Sequence, residues 1–262
     1  MKEAYESLRK NPANHVPLTP LSFLHRTADI YGEREAIIYG ERRYSWRQLR
    51  ERCLCMASSL TELGVGLGDT VAVLAFNTPE LFEAHFSVPM TGAVLNTINT
   101  RLDAETVAYI LKFGQVKALI VDRELLPLAQ KALQDEQIKL KIILIDDDSA
   151  EVKPSVELEF LEYEELINSG DPQFTCPPLQ DEWQALSLNY TSGTTGRPKG
   201  VVYHHRGSYL MSMGTVTAWE LPHHPRYLYS VPMFHCNGWG HAWTMTLVAA
   251  TVVCMRSFSP KL

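Results

Sequence analysis

No run of apolar residues in this chain is long enough to cross a bilayer. The longest, Ala242 to Met255, is interrupted by three threonines and falls short of the ~20 residues a span requires. The opening stretch, Met1 to Pro20, has no apolar core of the kind a secretory signal carries, so neither export nor anchoring is expected. A basic excess is missing too: 30 acids against 24 Lys and Arg give a net charge of −6, which argues against a nucleic-acid partner. Cysteine is scarce. Cys53, Cys55, Cys176, Cys236 and Cys254 are odd in number and form no Cys-x-x-Cys, which excludes a disulfide framework or zinc ribbon and fits a reducing, cytoplasmic setting. The nine histidines, among them the adjacent pairs His204-His205 and His223-His224, show no ligand spacing, so no protein-held metal is expected.

What the chain does have is one dense stretch, Tyr190-Thr191-Ser192-Gly193-Thr194-Thr195-Gly196-Arg197-Pro198-Lys199-Gly200, followed by Val201-Val202. Ala185 to Tyr190 alternates like a half-buried strand, and Arg206 to Trp219 has the composition of a helix. The glycines let backbone N–H groups turn toward an anion, four hydroxyls can donate to phosphate oxygens, and Lys199 brings a positive charge. Polyphosphate is the natural guest. A Walker loop is excluded because Gly200, not Ser or Thr, follows the lysine. Gly64-Val65-Gly66-Leu67-Gly68 fails as a dinucleotide turn, since it follows a helix pattern and precedes a strand pattern; it reads as a helix stop.

The eleven residues from Tyr190 to Gly200 resemble the phosphate loop of the adenylate-forming enzymes, the superfamily of acyl-CoA synthetases, luciferases and peptide-synthetase adenylation domains. A second stretch, Val231-Pro232-Met233-Phe234-His235-Cys236-Asn237-Gly238-Trp239, is similar to that family's second signature in acyl- and aryl-CoA ligases. Pro17 to Leu24 and Asn96 to Leu102 also look like the branch acting on short- to medium-chain and aromatic acids. The resemblance implies ATP phosphate contacts from Thr191, Ser192, Gly193, Thr194, Thr195, Gly196 and Lys199. It implies an acyl pocket at His235, Asn237, Gly238 and Trp239, with Lys199 and His235 in catalytic roles. ATP, Mg2+, CoA and a small carboxylic acid are the implied ligands, and a homodimer is left open. Cys236 lacks an evident base partner and reads as a packed thiol rather than a nucleophile.

The βαβα pattern implies a doubly wound α/β fold, and the resemblance implies the N-terminal domain of an adenylate-forming enzyme, with parallel-rich sheets flanked by helices in a layered αβαβα arrangement. Thr19-Pro20 opens a helix ending at Gly32, and residues 36–44 read as a hairpin. Ser45-x-x-Gln48 is a capping box for the next helix. Thr70 to Phe76 is a buried strand, Pro79 starts a helix, and alternating strands and helices continue to Ile145. Beyond the loop, a strand from Tyr227 to Phe234, a helix from Trp239 to Ala250 and a strand from Thr251 to Met255 are expected. Residues 1–145 form a first α/β subdomain in this reading and 183–262 the start of a second. Between them, Asp146 to Glu182 carries twelve acids and one base, leaving 18 acids against 23 bases elsewhere, and reads as an acidic connector with a short helix near Tyr163 to Ile167.

The family's later motifs and its small C-terminal domain have no counterpart in these residues, so the chain reads as a truncated N-terminal portion, with little ligase activity and weak ATP affinity on its own. The expected function is that of an ATP-dependent acyl-CoA synthetase. Two alternatives stand beside it: a non-catalytic nucleotide-binding or interaction module, and an adenylating enzyme whose acceptor is a carrier protein or oxygen.

Overall fold

The computed structural model describes residues 7–134, 138–155, 157–191 and 197–257. Helix α1 (Leu21–Tyr31) begins where Thr19 Oγ1 accepts the Leu21 N–H and ends at Gly32. Strands β1 (Glu35–Tyr39) and β2 (Arg42–Ser45) form the expected hairpin about Gly40, whose φ of +53° suits a residue without Cβ. The capping box is present on α2 (Trp46–Glu62): Ser45 Oγ accepts from Gln48 N, and Gln48 Oε1 from Ser45 N.

Strand β3 (Thr70–Leu74), helix α3 (Pro79–Met90), strand β4 (Val94–Thr97), helix α4 (Ala104–Phe113) and strand β5 (Val116–Asp122) follow in strict alternation. A 3-10 turn leads into α5 (Leu126–Ala132), then β6 (Lys141–Ile145). The acidic segment contributes a short strand, β7 (Leu161–Glu162), and helix α6 (Tyr163–Ser169), which packs on α2. The chain continues through β8 (Ala185–Thr191), β9 (Lys199–His204), α7 (His205–Ala218), β10 (Arg226–Tyr229), α8 (His241–Leu247) and β11 (Thr251–Cys254).

These strands build two sheets. The larger has the order β7-β6-β5-β3-β4-β8-β9, parallel throughout except for the antiparallel β8–β9 pair. The smaller has the order β10-β11-β1-β2. Each sheet takes strands from both sides of residues 146–182, so the sheets do not divide where the acidic segment does. Strand β3 shows why the layers form: Val71 and Val73 face one core with α2 and α3, while Ala72 and Leu74 face a second core with α4 and α5. Every residue of α3 is buried, because α3 lies against α2, which covers the small sheet, and against β3 and β4 of the large one.

Burying α3 also buries its charges. Glu83 is held by Arg52 at 2.6 Å and by the Tyr163 hydroxyl at 2.8 Å, and Arg52 reaches Glu164 of α6 at 2.6 Å. Leaving the fully buried Glu83 carboxylate unpaired would cost several kcal/mol, whereas Glu164 is exposed and closes the network from the surface. The sheets are stitched at their carboxyl ends by Arg256, just past β11. Its guanidinium contacts Asp122 and Asp147 at 2.7 and 2.8 Å and lies 4.5 Å over the Phe76 ring.

Three expectations are corrected. Residues 199–204 are a strand rather than part of a loop entering a helix, because the β-prone Val201-Val202-Tyr203 can pair with β8, from Ala185↔His204 to Thr191↔Lys199. The strand expected to Phe234 stops at Tyr229. There the Asn77 amide takes over the ladder, donating to the carbonyls of Tyr229 and Val231, both at 2.9 Å, and accepting the Met233 N–H at 2.8 Å. The helix expected from Trp239 to Ala250 begins only at His241, after a turn of the opposite hand.

Burial pushes His85 and His205 down to about 4. Below the ordinary histidine value of 6.5, the unfolded chain takes up protons that the folded chain refuses, so this stability is present above pH 6.5 and lost as pH falls toward 4. Each histidine adds a slope of up to about 1.4 kcal/mol per pH unit. Urea denaturation should therefore show a loss of roughly 2–4 kcal/mol between pH 7 and pH 5, with a shallower slope in His85→Gln; a flat profile would contradict this assignment.

Candidate active site

The large sheet places the ends of β4 and β8 side by side, at the carboxyl edge where open α/β sheets bind ligands. Thr191 closes β8 and pairs across the hairpin with Lys199, so the two flank the base of the expected phosphate loop, and both are exposed. Ser192, Gly193, Thr194, Thr195 and Gly196 lie outside the described residues. Arg197, on the far side, lies 5.6 Å from the Tyr109 ring of α4.

The second constellation adopts an unusual backbone. Cys236, Asn237, Gly238, Trp239 and Gly240 all have positive φ, at +47°, +43°, +54°, +60° and +67°. A left-handed turn of L-residues costs roughly 1–2 kcal/mol for each non-glycine member. Buried hydrogen bonds offset that cost. Asn237 Oδ1 accepts from Ser187 Oγ at 2.9 Å and from Asn189 Nδ2 at 2.5 Å, while its backbone N–H returns to Asn189 Oδ1 at 3.2 Å. The Thr97 hydroxyl donates to the Phe234 carbonyl at 2.9 Å, and Tyr229 Oη donates to the Gly238 carbonyl at 3.1 Å. Asn189 and Asn237 are 4% and 0% exposed, so this amide pair is a dry link between the sheet and the turn.

Two cavities meet at that turn. One, of about 260 Å³, lies beside the loop and is lined by Thr97, Ile110, Thr191, Pro198 and His235, among others. The second, of about 400 Å³, is apolar and lined chiefly by Val202, His204, Ser208, Met211 and Trp239. Tyr203 and Cys236 line both. Their side chains touch, and burial, with Cys236 beside it, raises the Tyr203 hydroxyl above its usual range.

The expected acyl-pocket residues thus divide by position. His235 is exposed beside the loop-side cavity, and Trp239, 61% exposed, faces the apolar one. Asn237 and Gly238 are buried behind the wall and shape the turn. His205 sits under the site with Nδ1 2.8 Å from Thr19 Oγ1, and His204 Nδ1 caps α7 by accepting the Gly207 N–H at 2.8 Å. Asn77, Thr97, Ser187, Asn189 and Tyr203 escaped the sequence reading as site residues. The available signal was an amide in each of two paired strands, Asn96 in β4 and Asn189 in β8, where asparagine is disfavoured unless a partner awaits it.

The family model for AMP-binding enzymes matches residues 24–262. The chain belongs to that family. Among members similar to it are acetate–CoA ligase CCL3 of Humulus lupulus, 44% identical over 98% of this chain, and the peroxisomal benzoate–CoA ligase of Arabidopsis thaliana, 46% identical over 93%. Those matches cover 47% and 43% of the relatives, so the chain spans about half the length of the family members it matches. Among solved structures, the anthranilate CoA ligase AuaEII in complex with anthranoyl-AMP superposes with a TM-score of 0.84 at 24% identity, over 95% of this chain and 47% of that one. The N-terminal domain of FACL13 from Mycobacterium tuberculosis gives 0.79 at 26% identity, over 92% and 58%. The AMP-binding family fold therefore holds across the described residues.

The turn predicts a contrast between two glycines. A Cβ at Gly238 would lie 2.3 Å from Tyr229 Oη and 3.0 Å from Met233 Cα, at positive φ, whereas a Cβ at Gly214, inside α7, meets nothing within 4 Å. Gly238→Ala should lower stability by roughly 2–5 kcal/mol, and Gly214→Ala should raise it by about 0.5–1 kcal/mol. Urea midpoints measure both, and equal effects would refute the turn.

Proposed function

We propose that this chain is the ATP- and acid-binding half of an AMP-forming acid–thiol ligase. The observation that carries the reading is the adjacency of the two cavities: one beside the glycine- and hydroxyl-rich loop, where Thr97, Asn99, Thr191 and His235 line it, and a second, apolar one share Tyr203 and Cys236 in their walls. A carboxylic acid bound with its hydrocarbon in the apolar cavity would present its carboxylate to a nucleotide whose outer phosphates lie in the loop.

The chemistry needs little else from the protein. A carboxylate oxygen attacks the α-phosphorus of ATP, the bond to the bridging oxygen of pyrophosphate breaks, and an acyl-adenylate forms. The thiol of CoA then displaces AMP. Positioning and charge neutralisation supply most of the acceleration in such in-line transfers. Lys199, with Thr191 and the loop N–H groups, would hold the departing pyrophosphate. His235 would border the reacting carboxylate on the loop side, and Trp239 would cover the acid on the other. Magnesium would arrive as part of the ATP substrate, carried on its phosphates.

An apolar cavity of about 400 Å³ suits a short- to medium-chain or aromatic acid. Relatives named as ligases for acetate, benzoate and trans-cinnamate support that range. Among the described residues, no helix is long and apolar enough to cross a membrane. We place the enzyme in the cytoplasm on its cysteine pattern, although several relatives are named as peroxisomal.

The test is acid-dependent exchange of labelled pyrophosphate into ATP by the full-length protein, with a panel from acetate to octanoate and benzoate. Exchange with at least one acid, thioester on adding CoA, and a loss of about 10²–10³-fold in kcat for Lys199→Ala are expected. Nucleotide binding without exchange for any acid would overturn ligation in favour of a binding module, and exchange without thioester would move the acceptor away from CoA.

A further inference from the structure

We infer that Tyr109 and Phe113 of α4 are positioning residues that seat Lys199 for the outer phosphates of ATP; the inference rests on the ligase reading above. The two residues stand one helical turn apart, and their rings stack with centroids 5.4 Å apart and planes at 16°. Helix α4 buries Val107, Ile110 and Leu111 in the second core, whereas Phe113 is 63% exposed. Phe113 adds little to that core. Its aromatic contacts run along the helix surface to Tyr109 and across to Tyr190 of β8.

Each end of this two-ring ladder reaches one side of Lys199. At the Tyr109 end, the guanidinium of Arg197, two residues before Lys199, lies 5.6 Å from the ring centroid. At the other end, Phe113 meets the Tyr190 ring edge to face, at 6.5 Å and 77°. Tyr190 pairs with Gly200, the residue after Lys199, and its ring lies over that glycine: a Cβ on Gly200 would be 3.8 Å from Tyr190 Cε1. The hydroxyl end of Tyr190 rests against the close of α4, where a Cβ on Gly114 would come within 3.3 Å of Oη. Gly200, Tyr190, Phe113, Tyr109 and Arg197 thus make a circuit around Lys199, and one helix holds the backbone on both of its sides.

A lysine ammonium sits on a long flexible stem, so it meets an anion reliably only when its backbone is already in place. Without the ladder, ordering Arg197 and its neighbours would fall to the phosphates and weaken their binding. Arg197, Pro198, Tyr109 and Phe113 line one open groove of about 450 Å³, so cation and ring meet within reach of water and the contact lies at the weak end of its range. The effect is therefore a few-fold one. It is also selective, because AMP has no outer phosphates for Lys199 to hold, whereas a merely structural role for the rings would change AMP and ATP binding alike.

The experiment measures Kd for ATP, pyrophosphate and AMP by calorimetry on the full-length protein. Tyr109→Leu and Arg197→Ala should each weaken ATP and pyrophosphate by roughly two- to fivefold and leave AMP unchanged. Tyr109→Phe, which keeps the ring face, should match wild type. The double variant Tyr109→Leu/Arg197→Ala should bind no more weakly than either single one, since both remove the same contact. Phe113→Ala, at an exposed position, should show the same selective loss, so a poorly folded Tyr109→Leu does not shelter the proposal. Unchanged affinities, losses that multiply in the double variant, a loss confined to Arg197→Ala, or equal losses for AMP and ATP overturn the ladder and leave the ligase reading standing. Absence of pyrophosphate exchange in wild type with every acid overturns the ligase reading, and the ladder's role with it.

Discussion

The amide pair Asn189–Asn237 is the constraint on which this site depends. A strand residue and a turn residue exchange hydrogen bonds in a dry interior, and through them the large sheet dictates the hand of five consecutive residues. Left to local preference, a Cys-Asn-Gly-Trp-Gly segment would not hold three non-glycine residues at positive φ. Losing either amide would strand the polar groups of the other, together with Ser187, without partners, and an unmade buried bond costs more than a made one contributes. Strain of this kind persists only where the surroundings over-determine it. Here they do so from three directions, through Asn189 of β8, Asn77 beyond β3 and the Tyr229 hydroxyl of β10.

The same logic extends to the architecture. Asn77 belongs to the large sheet's side of the molecule, yet it completes the hydrogen bonding of a segment leaving the small sheet. Arg256 does the reverse, leaving the small sheet to neutralise Asp122 and Asp147 at the ends of β5 and β6. Two sheets that share no strand are thus tied by polar contacts at their carboxyl ends, beside the fully buried α3. Apolar packing sets how closely the layers approach, and the polar ties set their register, which fixes where the two cavities meet.

Much of the fold was legible because its signals are local. Ser45-x-x-Gln48, Pro79, the Gly40 turn and the apolar run at Thr70 act within a few residues of themselves, and the helices and strands they mark are present. The expected phosphate loop reads as chemistry from its residues, but the strand after it does not: a lysine and a glycine disguise the start of β9, whose pairing partner is supplied by the preceding strand. Residues 227–240 misled for a different reason. Read alone, Tyr227 to Phe234 is a good strand and Trp239 onward a good helix, and only Asn77, about 150 positions away in the chain, ends the first. His235 and Trp239 were expected at the site from their motif, and each borders a cavity. That Asn237 and Gly238 serve the backbone rather than line a pocket follows from φ values and buried partners, which no sequence pattern displays.

We propose that the left-handed turn separates a cavity for the acid from one beside the expected phosphate loop, and that reaction takes place across it. The most direct measurement is a crystal structure of the full-length protein with a non-hydrolysable acyl-adenylate analogue. The account predicts the acyl chain between Met211 and Trp239, the carboxyl-derived carbon beside Tyr203 and Cys236, and the phosphate-mimicking group on the Thr191 and Lys199 side. An analogue with its acyl chain in the cavity lined by Thr97 and Ile110, or bound away from this turn altogether, would contradict it.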